Sequence, residues 1–71
     1  MNILFIASVI ENGVTKNHFF SLNNNKDYLI IKTGDYIDTQ YIGYENGNFN
    51  TVVGRWVMQN YPNYNTIINK V

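Results

Sequence analysis

Apolar and polar residues change their spacing twice along this chain, and each change marks a different kind of element. From Asn2 to Ile10 apolar side chains occupy both alternating sets, Ile3, Phe5, Ala7 and Val9 in one and Leu4, Ile6 and Ile10 in the other, with Ser8 the one interruption. A β-branched run of this length, stopped by turn residues, predicts a strand covered on both faces, lying centrally or in an interface. Glu11-Asn12-Gly13-Val14 then signals a two-residue hairpin, because the turn that matches strand twist needs positive φ, which Asn and Gly tolerate best. A second strand, Val14 to Leu22, sets Val14, Lys16, His18, Phe20 and Leu22 on one face and Thr15, Asn17, Phe19 and Ser21 on the other. The polar Asn23-Asn24-Asn25-Lys26 leads to a third strand, Asp27 to Thr33, with Tyr28 and Ile30 opposed to Leu29 and Ile31. Gly34-Asp35 predicts a tight turn into a fourth strand, Tyr36 to Tyr44. There Ile37, Thr39 and Tyr41 face away from Tyr36, Asp38, Gln40, Ile42 and Tyr44, and Gly43 is placed to bulge the strand. Asn46-Gly47 could close another hairpin, but Asn48 to Thr51 is too short and polar for a fifth strand.

From Asn50 to Tyr61 the period lengthens to that of a helix. Val52, Val53, Trp56, Val57 and Tyr61 form one stripe, with Trp56 at its centre. Asn50 or Thr51 can cap the start through a side-chain oxygen, and Pro62, which lacks an amide proton and crowds the preceding turn, ends it. Such a stripe covers one face of a sheet. Beyond it Tyr64, Ile67, Ile68 and Val71 again sit at helical spacing, and Pro62 suits a first helical turn, so a second short helix is predicted. The expected fold is α+β: a four-stranded antiparallel β-meander packed by one C-terminal amphipathic helix and followed by a second short helix, all in one small domain. No repeat or linker divides the chain.

Seventy-one residues build a core worth only a few kcal/mol, about 3 to 5, and small domains usually add a staple. With no cysteine there is no disulfide or thiolate zinc site, which leaves self-association. Five Lys and Arg balance five Asp and Glu, so no field steers the chain onto a phosphate backbone. Only 14% of the residues are charged, against a usual quarter, and the surface is therefore unusually neutral. Asparagine fills 13 positions, and with Phe, Tyr, Met, Ile and Lys it crowds out Ala, Arg and Pro. All six favoured residues have AT-rich codons, which points to a low-GC bacterium, its phages or another mobile element as the source. The apolar opening stretch has no basic leader and no small-residue cleavage site, and it is half the roughly 20 residues needed to span a bilayer. A cytoplasmic protein is expected, without a membrane partner.

Catalytic chemistry finds little to work with. His18 is the only histidine, and a triad would need Asp27, Asp35 or Asp38 to orient it and a Ser or Thr to attack, with no nucleophile-elbow signature in view. Asp35, Asp38 and Glu45 are hard-cation ligands by type, but their spacing lacks the ligand density of a calcium loop, and Asp35 is explained by its turn. Paired-carboxylate chemistry selects no pair among the five acids. No phosphate loop exists, since no glycine-rich run leads into a helix. No metal, cofactor or catalytic set is therefore expected.

Six tyrosines and Trp56 remain. Their rings serve packing, protein contact or base stacking, and the scattered Lys16, Lys26, Lys32, Arg55 and Lys70 form no basic groove to favour the last. The expectation is a non-catalytic protein-binding or inhibitory module of a phage or other mobile element, with host-defence inhibitors such as anti-CRISPR proteins as one class. Its binding residues would be Tyr36, Tyr41, Tyr44, Arg55 and Trp56. A homodimer is expected through the sheet surface of Leu4, Ile6 and Ile10, because a single helix leaves the second sheet face bare. The alternative is a dimeric binder of single-stranded nucleic acid that stacks bases on the sheet. A weaker third reading is a hydrolase or nuclease using His18 or the Asp35, Asp38 pair.

Overall fold

The computed structural model describes residues 2–43 and 48–71. Five strands and one helix follow in the order β1 (Phe5–Glu11), β2 (Val14–Leu22), β3 (Tyr28–Thr33), β4 (Tyr36–Tyr41), α1 (Phe49–Asn60) and β5 (Asn65–Lys70). All the strand pairs are antiparallel, and the sheet order is β4-β3-β2-β1-β5. The class is α+β, as expected from the periodicities.

The two tight hairpin turns, β1–β2 and β3–β4, form where the turn residues predict them. Asn12 and Gly13 both take positive φ (52° and 77°), so Glu11 pairs with Val14 at the natural strand twist. Gly34 alone takes positive φ (59°) in the second tight turn, and Thr33 pairs with Tyr36. Between β2 and β3 the chain is held by Asn23. Its side-chain oxygen accepts from Asp27 N–H (3.1 Å) and Tyr28 N–H (2.8 Å), and its amide donates to the Asp27 carboxylate at 2.6 Å. Asn46-Gly47, a turn pair that could close a further hairpin, lies outside the described residues.

α1 begins one residue earlier than its polar flank predicts. Asn48 occupies the cap position without a side-chain hydrogen bond, so neither Asn50 nor Thr51 is the cap. At the other end Tyr61 N–H reaches the Val57 carbonyl (2.8 Å) and the Asn60 amide reaches the Trp56 carbonyl (2.8 Å), satisfying last-turn acceptors before Pro62. Val52, Val53, Trp56 and Val57 are buried on Phe5, Ala7, Phe20, Leu29 and Ile31. Each large apolar side chain enclosed there contributes roughly 1.5–3 kcal/mol. Trp56 meets Phe20 edge-on at 5.3 Å between ring centroids, and Phe49 extends the contact to Phe5 at 5.1 Å.

The sheet has five strands, not four, and the segment expected as a second helix is β5. Tyr64, Ile67, Ile68 and Val71 fit a helical stripe, yet the run is too short to stand as a helix and its Thr66, Ile67, Ile68 and Val71 are β-branched. Tertiary pairing decides the matter. β1 has β2 on one side, and without β5 its apolar strand would end the sheet as a bare edge. β4 and β5 lie at opposite edges, so the chain crosses the whole sheet through α1.

Candidate functional site

The pleat sends alternate side chains to opposite faces of the sheet. Phe5, Ala7 and Val9 of β1, His18 and Phe20 of β2 and Leu29 and Ile31 of β3 turn to α1 and form the core. Their neighbours in sequence turn the other way, where the described residues place no element. In register across that open face, Ile37 is followed by Lys32, Phe19, Ile6 and Asn69. Above this row lie Thr39, Ile30 and Ser21, and then the pair Tyr41 and Tyr28. Below it Asn17, Ser8 and Ile67 form one row and Thr15, Ile10 and Asn65 the next. Ile37, Tyr41 and Ile67 are each more than half exposed. Tyr28 and Tyr41 meet edge-on at 5.3 Å, and the Ser8 hydroxyl donates to the Asn17 side chain at 2.7 Å. The face thus sets Ile6, Phe19, Ile30, Ile37 and the tyrosine pair among small polar side chains, and Lys32 is the one cation among its described residues.

The helix face holds the other chemical feature. His18 is 2% exposed, with its Nδ1 2.6 Å from the Thr33 hydroxyl and its ring 5.3 Å from that of Trp56 and 5.0 Å from that of Tyr61. Its Nε2 is buried without a hydrogen-bond partner. Burial lowers the His18 pKa from its ordinary value, and the charge of Lys16 lowers it further. A neutral ring enclosed by aromatic side chains is a packing element. Asp35 is exposed in its turn, and the Asp38 carboxylate accepts from Thr39 N–H at 3.0 Å. Among the described residues no group of three or more His, Asp or Glu side chains is placed to hold a metal.

The residues singled out as binding groups scatter. Trp56 is in the core, where the helical stripe put it, and presents no platform to solvent. Tyr36 is well exposed but points to the helix side of β4, opposite in sense to Tyr41 on the open face. Arg55 is half-buried on α1, and Tyr44 lies outside the described residues. Of the residues expected in a dimer contact, Ile6 and Ile10 are half-buried on the open face. Leu4 instead lines a separate cleft of about 340 Å³ with Phe5, Leu22, Phe49, Lys70 and Val71. The open face also recruits Phe19, Ile30, Ile37 and Ile67, which sequence reasoning did not select. Strand alternation signalled the first three; Ile67 was hidden by the helical reading of its segment.

Comparison of the chain with protein-family models, with curated proteins and with solved structures gives no match. No described helix is long and apolar enough to cross a membrane.

Proposed function

We propose that this chain is a non-catalytic protein-binding module whose binding surface is the open face of the sheet. One observation carries the reading: on a face that α1 leaves uncovered, Ile6 pairs with Phe19 and Tyr28 with Tyr41, Ile30 lies diagonal to both pairs, and Ile37 stands across Lys32 from Phe19. Contiguous apolar surface with a polar border is how protein interfaces are built, with aromatic residues enriched and charge depleted at the centre. The partner that fits is a protein surface equally neutral and apolar. The bias toward residues with AT-rich codons and the neutral charge balance favour the narrower role of an inhibitory module from a phage or other mobile element, acting in the cytoplasm of a bacterial host. Anti-CRISPR proteins are one such class.

The alternative, stacking of single-stranded nucleic acid, rests on the Tyr28–Tyr41 pair. It has less behind it, because Lys32 is the one cation among the described residues of that face and a backbone-tracking groove needs several. The two separate on one comparison. A protein site loses its partner on Ile37→Glu and is little moved by salt, whereas a nucleic-acid site shows a mobility shift that weakens with salt and falls on Tyr41→Ala.

A further inference from the structure

A five-stranded sheet has two edges, and in this one they are finished differently. The bond from Ile42 N–H to the Asp27 carbonyl (2.7 Å), in register with the β3–β4 ladder, turns the backbone groups of even-numbered β4 residues toward β3. Those of Ile37, Thr39 and Tyr41 therefore face outward. The middle donor is already taken, since Thr39 N–H is bonded to the Asp38 carboxylate. A carboxylate over the centre of an edge repels the carbonyls of an incoming strand.

β5 has no such guard. Val71 N–H donates to the Leu4 carbonyl (2.9 Å) in register with the β1–β5 ladder, so odd-numbered residues of β5 bond to β1. The N–H and C=O groups of Thr66, Ile68 and Lys70 point out of the sheet, and among the described residues no backbone group bonds to them. The strand contains no proline and no acid, and its register with β1 runs unbroken. Ile67 is 53% exposed on the open face and Ile68 41% exposed on the helix face, so an arriving strand would find apolar contact on both sides.

We propose that a second copy of this chain fills that edge, β5 pairing antiparallel with β5 about a two-fold axis through Ile68. In this register Ile68 faces its own counterpart, Thr66 faces Lys70 of the second copy, and all three free residues exchange both of their hydrogen bonds. A shift by two residues in either direction leaves Thr66 or Lys70 unmatched within the strand. A shift by one sets side chains of opposite faces against each other. The two Lys70 side chains fall at opposite ends of the contact, so no like charges meet. The free groups about Ile68 are self-complementary under the two-fold axis, so a second copy satisfies every one of them. The axis keeps both helices on one side and joins the two open faces into one surface, whatever that surface binds. It also gives a cysteine-free domain of this size a staple.

Light scattering of the full chain across a micromolar concentration series, with amide hydrogen exchange read by NMR, tests the contact. The expected result is a mass twice 8.3 kDa, with the amides of Thr66, Ile68 and Lys70 protected at high concentration and exposed on dilution. Ile68→Pro removes an outward donor and leaves the β1 ladder intact, so a folded monomer is expected. Thr66→Lys should weaken the dimer roughly tenfold by setting like charges opposite at both ends, and adding Lys70→Glu should restore it. The proposal is overturned by a wild type that stays monomeric at high micromolar concentration. It is equally overturned by a dimer whose three amides exchange freely, or one that survives the Thr66→Lys change and dissociates on Ile6→Glu.

Discussion

The Nδ1 of His18 stands 2.6 Å from the Thr33 hydroxyl, and that bond is the one satisfied contact of a ring whose Nε2 is buried with none. Whichever tautomer forms, Nε2 keeps an unmatched donor or acceptor, a cost of about 1–3 kcal/mol in a buried site. A second proton would give the ring a charge between Trp56 and Tyr61, beside the positive Lys16.

Acid should therefore loosen the fold earlier than its carboxylates would. The folded-state pKa of His18 is depressed, so the unfolded chain binds the extra proton first. Stability is then full above the ordinary histidine value of about 6.5 and declines as pH falls through it. Urea midpoints measured between pH 7.5 and 5 should drop in the wild type and stay flat in His18→Met. An equal drop in both proteins would assign the effect to other groups.

Two isoleucines on adjacent strands separate the faces energetically. Ile31 is 1% exposed beneath α1, and Ile31→Ala should cost about 2–5 kcal/mol, enough to unfold a domain this small. Ile37 is exposed on the open face, and Ile37→Ala should stay within about 0.5 kcal/mol. Equal losses in chemical denaturation would mean that the open face is covered within the monomer.

Trp56 packs against the rings of Phe20, His18 and Tyr61, so its role is to hold α1 to the sheet. Trp56→Ala should cost about 3–5 kcal/mol and abolish the folded circular dichroism spectrum. A folded, stable Trp56→Ala protein that had lost only a binding activity would restore the ring to a surface role.

Closing the sheet is the task of β5. Proline at Ile67, whose N–H faces β1, should destabilise the monomer, while proline at Ile68, whose N–H faces outward, should not. Thermal unfolding of the two variants at low concentration gives the comparison. Matching transitions would contradict the hydrogen-bond parity of the strand.

Local chemistry made much of this fold readable in advance. Asn12-Gly13 and Gly34-Asp35 specify their turns, alternation in β2 sorts His18 and Phe20 from Phe19, and the Val52 to Val57 stripe with Pro62 bounds the helix. β5 was unreadable because Tyr64, Ile67, Ile68 and Val71 satisfy a 3.6 period as well as a β-branched strand does. Only the bare edge of β1, a contact between residues about sixty apart in the register Phe5 to Lys70, decides between them. The open face was half legible. The two-sided apolar character of the first and third strands called for a second cover, but which side α1 would take, and hence that Trp56 is enclosed and Tyr36 parted from Tyr41, depends on packing.

Affinity capture from a lysate of an AT-rich bacterium, run in parallel with the wild type, Ile37→Glu and Tyr36→Ala, weighs the proposed binding face against every other surface. The open face predicts a specific protein retained by the wild type and by Tyr36→Ala and lost with Ile37→Glu, all three baits being folded by circular dichroism. Capture of nothing by the wild type, or of a protein indifferent to Ile37→Glu, would contradict it.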